Sequence, residues 1–313
     1  MPLTTNQPFE DLIFHYTTFE GLLGIFDSWT LWATDVKYLN DFNEFAHEND
    51  FLDRGEDRAL ELIATDPGET GPNSLHEASR HVRGMAFMMR SEATVEVQGG
   101  PFVTSFCESG DLLSQWRGYG NAGVSLGFSR EALATLPPLP NPTLAQRDID
   151  RGATWVGGPD MGEDFRPRLI KVEYGDPTTE QIEEYAQALA GAARLLASGD
   201  LDNTNLRGTV EAGVMTRVAG FKDSAFEAEA EYRLVVHGAW ASFALDHFRA
   251  GPLGLVPYIE IPLDLRACLR WIIIGPPRLL NDGREQAVLR LLNHHHLDTT
   301  QPVFVSNSMV PFR

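Results

Sequence analysis

The sequence predicts an α+β fold with a mainly antiparallel β core decorated by inserted helices. Three observations lead there. β-prone runs are scattered along the chain without the regular strand and helix alternation of a doubly wound parallel sheet, the last third turns β-rich, and helical periodicity gathers in two blocks at about residues 44–93 and 179–220. No repeat or low-complexity tract divides the chain. Residues 1–313 therefore read as a single α+β domain carrying those two helical insertions.

Asp11 to Tyr16 is apolar and aromatic with His15 near its end, a strand pattern, and Phe19 to Phe26 places apolar residues at helical spacing. Ser28 to Thr34 carries Trp29, Leu31 and Trp32 and reads as a second strand beside the first. Tyr38-Leu39-Asn40-Asp41 then turns into a polar helix, and Glu44 to Ala93 gives two helices joined by a loop at Asp66-Pro67-Gly68 and Gly71-Pro72-Asn73, an insertion or lid. Phe102 to Cys107 and Val124 to Phe128 are strands separated by Ser114-Gln115-Trp116-Arg117-Gly118-Tyr119-Gly120. Breakers from Pro137 through Pro159 mark a surface excursion. Leu169 to Tyr174 reads as strand, Thr179 to Ser198 as an Ala-rich amphipathic helix and Leu206 to Gly220 as another. Strands follow at Glu231 to His237, Pro257 to Ile261, Arg270 to Ile274 and Val303 to Val305, with a helix from about Gly283 to Leu292.

Charge narrows the function classes. The formal net charge of -19 opposes approach to a polyanion unless positive charge is concentrated locally, so extended nucleic acid and anionic membranes are disfavoured partners. Cys107 and Cys268 are the 2 cysteines, too few for a disulfide framework or a structural zinc site, and a reducing cytoplasm fits them best. Met1 to Phe9 lacks a secretory signal pattern and no apolar run reaches membrane-spanning length. Motifs for P-loops, dinucleotide-binding Gly-rich turns, nucleophile elbows and zincins are missing, which leaves the common hydrolase, dehydrogenase and metalloprotease readings unsupported.

Four segments carry possible chemistry. In Phe14-His15-Tyr16-Thr17 a polar triplet ends an apolar strand and sets His15 at the sheet rim, either as a ligand contact or as a hydrogen-bonded, partly buried histidine. In Glu227-Ala228-Glu229-Ala230-Glu231-Tyr232-Arg233, an extended chain would align Glu227, Glu229 and Glu231 on one face. Like charges so placed need a cation, a ligand hydroxyl or water, and their repulsion raises a carboxyl pKa toward acid/base use. The alternative is a solvated edge strand or an acidic helix start. Thr104 and Ser105 end a strand with two hydroxyls, and the Ser114 to Gly120 loop joins Arg117 to two aromatics and permissive glycines, a cradle for an anion or ring or else a packed turn. His294-His295-His296 is not expected to hold a metal, because consecutive helical residues diverge.

Several blocks occur together in one order: His15-Tyr16-Thr17 with Gly21-Leu22-Leu23-Gly24-Ile25, Leu31-Trp32-Ala33-Thr34, Tyr38-Leu39-Asn40-Asp41 with Glu44, the Ser114 to Gly120 loop, and Glu229-Ala230-Glu231-Tyr232-Arg233-Leu234. From Phe14 to about Val236 this order resembles the bacterial DUF2971 family, a family named for unknown function. More distantly, His15-Tyr16-Thr17, Phe102-Val103-Thr104-Ser105 and Glu229-Ala230-Glu231 resemble the H-x-T, F-x-S-T-S and E-x-E elements of ADP-ribosyltransferases, with Val103 in place of the first serine or the register displaced.

That second resemblance implies a split β core and an NAD-consuming ADP-ribosyltransferase or NAD glycohydrolase. Cleaving the nicotinamide–ribose bond develops oxocarbenium-like charge, which a carboxylate stabilises. The resemblance gives that role to Glu231, which would also bind a ribose hydroxyl or deprotonate the acceptor, with Glu229 orienting the acceptor or water. His15 would hydrogen-bond a ribose hydroxyl, with Tyr16 beside it, and Thr17 would meet the nicotinamide amide while Tyr38 or Trp32 stacks on the ring. Thr104 and Ser105 would form the middle-strand contact and Arg117 would take the pyrophosphate. NAD is then the substrate, a protein or small molecule the acceptor, and no metal is required. Two other readings remain open: a non-catalytic nucleotide-binding or interaction protein on the same scaffold, and a nucleotide-independent enzyme that uses the Glu cluster with a divalent metal.

Overall fold

The structure is a computed structural model that describes residues 11–39, 44–65, 72–89, 101–121, 123–139, 166–198, 216, 219–236, 247–251, 254–276, 283–297 and 302–311. In chain order the strands are β1 (Leu12–Thr17), β2 (Thr30–Asp35), β3 (Phe102–Cys107), β4 (Val124–Ser129), β5 (Arg168–Lys171), β6 (Glu173–Tyr174), β7 (Phe221–Lys222), β8 (Glu231–Val236), β9 (His247–Gly251), β10 (Gly254–Pro262), β11 (Leu269–Ile274) and β12 (Phe304–Asn307). The longer helices are α1 (Phe19–Ser28), α2 (Glu44–Thr65), α3 (Pro72–Met89), α4 (Thr179–Ser198) and α5 (Arg284–His294). The architecture is α+β with a mixed, mostly antiparallel open sheet.

Along the sheet the order is β12-β11-β4-β1-β3-β2-β10-β9, with β8 joined to β3 and β5 joined to β8. Within this sheet β11 and β12 run parallel and the other described pairs antiparallel, while β6 and β7 form a small parallel pair of their own. The placing of β3 decides where a cleft can form. Its register with β8 runs from Phe102↔Val236 to Cys107↔Glu231, which occupies one edge of β3 along its whole length. The other edge is shared. β1 meets it at Phe14↔Cys107, and β2 meets it at Thr34↔Val103 and Asp35↔Phe102. Between them Thr104, Ser105 and Phe106 carry no ladder partner on that edge, so β1 and β2 splay apart around the middle of β3.

Side-chain alternation sorts the two faces. On one, Ile13, Phe102, Phe106, Leu126, Phe128, Tyr232 and Leu234 are buried with Leu22, Ile25 and Phe26 of α1 and Val288 and Leu292 of α5. The spacing of those α1 residues at i, i+3 and i+4 is what lays the helix on the sheet. Thr18 starts the helix by accepting the Gly21 N–H at 3.1 Å, and Trp29, in the left-handed region at φ 55, ends it. Paired residues share a face, so the opposite side collects Val103, Ser105 and Cys107 of β3, Glu231, Arg233 and Val235 of β8, and Thr34 of β2.

α2, α3 and α4 form an apolar cluster of their own, containing Phe51, Ile63, Val82, Met85, Tyr185 and Leu189 and closed by Phe221 from β7. The expected decoration of the β core is thus a three-helix layer with a core of its own. Gly55 sets its closeness: a Cβ there would lie 2.1 Å from the Tyr185 ring. The second block holds α4, whereas most of the expected Leu206 to Gly220 helix lies outside the described residues, as do Asn40 and Asp41, His237 and most of the Pro137 to Pro159 excursion.

The acidic run folds differently from the expected extended strand. Ser224–Glu229 is a 3-10 helix, Ala230 turns the chain at φ 43, and β8 begins at Glu231. Asp223 causes this by accepting the Ala225 N–H at 2.8 Å, a cap that starts a helical turn where alternation alone suggests a strand. The three carboxylates therefore do not share one face. Glu227 is exposed, while Glu231 is 3% exposed.

Candidate functional site

A cleft of about 740 Å³ opens at the splay between β1 and β2, within the size range of small-molecule sites. It brings together His15 and Thr17 from β1, Thr104 and Ser105 from β3, and Glu231 from β8. These residues lie far apart in the chain. The shared edge of β3 explains their meeting, since the unladdered middle of that strand is where side chains from both neighbours reach in. His15 Nδ1 donates to the Ser105 carbonyl at 3.0 Å, and Thr104 Oγ1 donates to the Trp32 carbonyl at 2.9 Å.

That His15 bond has a chemical consequence. A carbonyl only accepts, so Nδ1 carries the proton, and in neutral imidazole Nε2 is then an acceptor. Burial lowers the His15 pKa below its ordinary value, against the opposing pull of the Ser105 hydrogen bond, which keeps the ring neutral near pH 7. The Phe106 ring at 5.8 Å supplies part of that apolar surrounding. Tyr16 is used differently. Its hydroxyl donates to the Ser109 carbonyl at 2.9 Å and accepts the Leu112 N–H at 2.8 Å, and its ring packs edge-on to the buried Trp116 at 4.8 Å. Tyr16 holds the loop that forms one wall, and its polar atom is already engaged.

At the β8 end the carboxylates are enclosed by cations. Lys222, a residue 5% exposed, places its Nζ 2.9 Å from both Glu229 Oε2 and Glu231 Oε2. Arg233 Nε donates to Glu231 Oε1 at 2.9 Å and a terminal nitrogen of the same guanidinium donates to the Ala219 carbonyl at 2.9 Å. The Glu231 backbone N–H donates to the Tyr174 hydroxyl at 2.7 Å. Burial pushes the Glu231 carboxyl up, but Arg233 and Lys222 outweigh it, with hydrogen bonds from Arg233 and Ser105, and hold it at about 2. The expected mutual repulsion of carboxylates, with a raised pKa, is therefore corrected: counter-cations answer the repulsion and the shift runs downward. Burial pushes the neighbouring Cys107 thiol up, and Glu231 and Glu229 push it further, so it is no thiolate nucleophile.

The remaining expected residues divide. Trp32 is 44% exposed and Tyr38 49% exposed, and both line the cleft. Trp32 stacks on Tyr258 of β10 with centroids 4.3 Å apart. Arg117 lies on an exposed turn of the π-helical stretch Trp116–Gly120, whose Gly118 and Tyr119 reach the cleft wall while Arg117 does not line it. Its exposure follows from Trp116, which fills the interior and bonds Asp111 Oδ1 at 2.7 Å, turning the next side chain outward. Among the described residues no group of three His, Cys, Asp or Glu side chains could hold a metal ion, and Lys222 occupies the space between the two carboxylates. His295 packs edge-on to Phe26 at 5.4 Å. No described helix is long and apolar enough to cross a membrane.

Sequence reasoning missed Lys222, Arg233 and Arg249 as cleft residues. For Lys222 a signal existed, since clustered carboxylates require a nearby cation when buried. Arg249 stands on β9, far along the chain, and nothing local marks it. No curated protein and no solved structure matches the chain. From Gln115 to Leu234, a stretch that takes in Lys222, Glu229, Glu231 and Arg233, the chain matches the family described as Protein of unknown function (DUF2971), over residues 115–234.

Proposed function

We propose that this chain is an NAD-consuming ADP-ribosyltransferase or NAD glycohydrolase with the split β core of that fold. The observation that carries the reading is the meeting of His15, the Thr104–Ser105 stretch and Glu231 in one cleft at the splayed edge of β3. Neutral His15 offers Nε2 as acceptor to a ribose hydroxyl, and so fixes the sugar. Glu231, held at about 2, stays ionised around neutral pH, which makes it a weak base and a steady negative charge. Its role is then to stabilise oxocarbenium-like charge as nicotinamide leaves, not to take a proton. Glu229, nearer solvent, is the carboxylate suited to orient the acceptor or water. Trp32 and Tyr38 offer ring faces for nicotinamide. NAD enters as substrate, and the acceptor is a protein or a small molecule.

A second reading, a nucleotide-binding protein without turnover, is favoured by one observation: both oxygens of Glu231 are already bonded, to Arg233 and Lys222. Those cations offset its charge at the ribose. Incubation of the purified chain with NAD, with free nicotinamide measured for wild type, Glu231→Gln and His15→Ala, separates the two. The enzyme reading expects release that both substitutions reduce by at least about tenfold, the size of one lost transition-state hydrogen bond or charge contact. Saturable NAD binding with no release from wild type would establish the binding protein instead.

A further inference from the structure

The cleft is close to neutral in a strongly acidic chain. Its described lining holds the carboxylates Glu20, Glu229 and Glu231 and the cations Lys222, Arg233 and Arg249. Lys222 and Arg233 are committed to Glu229 and Glu231. Arg249 differs. Among the described residues no carboxylate lies within ion-pair distance of it, and its terminal nitrogen donates to the Thr34 hydroxyl at 3.2 Å. A half-buried guanidinium steadied by a neutral hydroxyl keeps its charge and most of its donors for something else.

Register shows what surrounds it. Arg249 pairs with Val256, and Tyr258, two residues on from Val256, pairs with both His247 and Thr34. Thr34 in turn pairs with Val103 on β3. Directly paired residues share a face, so Arg249, Tyr258, Thr34 and Trp32 lie on the same side of the sheet as Ser105 and Glu231. On that side, rings of His247, Tyr258 and Trp32 form a run, with His247 to Tyr258 at 5.4 Å and Tyr258 to Trp32 at 4.3 Å. Glu260 shares this face beside Trp32 but does not line the cleft. From Val103 to Cys107, the residues of β3 level with Thr34 and Glu231, the strand advances about 13 Å at roughly 3.3 Å per residue. The cleft thus has an acidic, ion-paired end and, a dinucleotide half-length away, an aromatic end with a cation to spare.

We propose that Arg249, oriented by Thr34, binds a phosphate of a nucleoside diphosphate held in this cleft. The assignment rests on the nucleotide reading above and moves its phosphate contact from Arg117 to Arg249. A guanidinium fork meets two phosphate oxygens at once, which a hydroxyl-bearing sugar alone does not exploit. Because Arg249 has no carboxylate partner among the described residues, its charge is left to offset the repulsion between an anionic nucleotide and a chain of charge -19.

Isothermal titration of the full chain with ADP-ribose, ADP and adenosine tests this, using wild type, Arg249→Gln, Arg249→Lys and Arg117→Ala. The expected result is ADP-ribose and ADP binding that falls at least about tenfold in R249Q, recovers in part in R249K and is unchanged in R117A, with melting temperature preserved in each. Adenosine, lacking phosphate, should bind wild type and R249Q alike. Binding of ADP-ribose to R249Q at wild-type affinity overturns the assignment, as does failure of wild type to bind either phosphate ligand. The two proposals fail separately. Loss of ADP-ribose affinity in R249Q with no nicotinamide release from wild type keeps the phosphate site and removes the enzyme, whereas release from R249Q with unchanged KM for NAD keeps the enzyme and removes the phosphate site.

Discussion

The two ends of the cleft treat charge in opposite ways. At the β8 end, Glu231 is buried and met by Arg233 and Lys222, so its charge is spent on holding β7, β8 and the Ser224–Glu229 turn together. At the β9 end, Arg249 is half-buried and held by a hydroxyl. Side chains satisfied by other side chains build the site, and those left with donors to offer are the ones a ligand completes. By that criterion the proposed site would draw position and a fixed negative charge from the β8 end and recognition from the β9 end.

Removing a partner at each end should break the symmetry of this comparison most sharply. Arg233→Met leaves Glu231 buried with Lys222 as its remaining cation, and chemical denaturation should show a loss of about 3–5 kcal/mol, whereas Arg249→Gln should stay within about 0.5 kcal/mol of wild type. Equal losses from the two substitutions would erase the distinction. Acid probes the β8 end without mutation. The folded Glu231 pKa, about 2, lies below its ordinary value of 4.5, so its contribution to stability is fully present above about 4.5 and drains away as pH falls toward about 2. Denaturation midpoints measured across that window should fall less in Glu231→Gln than in wild type.

A smaller effect separates stability from binding. Gly55→Ala drives a methyl against the Tyr185 ring in the three-helix layer and should cost about 1–3 kcal/mol by overpacking, while ADP-ribose titration stays unchanged. Weakened binding in that variant would mean that the helical layer supports the cleft directly. At the bottom of the scale, Arg117→Ala should leave NAD binding as it is, because that side chain is exposed and off the cleft wall.

Much of the sheet was legible in the sequence because its strands are apolar runs with clear ends. Leu12–Thr17, Phe102–Cys107 and Leu269–Ile274 fall where β-prone residues cluster, and α4 falls where alanines and an acidic first turn favour helix. The splay of β1 and β2 on one edge of β3 is a matter of pairing between distant segments, which no local pattern encodes. The same limit explains the site. His15, Ser105 and Glu231 were legible as polar residues in or beside apolar, β-prone runs, although His15 and Ser105 fall inside β1 and β3 and not at the strand ends the sequence suggests, and only Glu231 begins its strand. Lys222 sits in a two-residue strand and Arg249 in a short one, both too brief for periodicity to speak. Arg117 was a plausible phosphate ligand by composition and lost its place because Trp116 took the interior.

The central claim is that the unladdered middle of β3 is the floor of a dinucleotide site in which neutral His15 accepts a hydrogen bond from the bound sugar. Nitrogen-15 spectra of histidine-labelled protein, with the His15 signal among the 9 histidines assigned through His15→Gln, read this directly. At pH 7 the account predicts a protonated Nδ1 and a bare Nε2, with the Nε2 resonance moving on addition of NAD and not on addition of inorganic phosphate. A doubly protonated ring at that pH, or an Nε2 signal unmoved by saturating NAD, would contradict it.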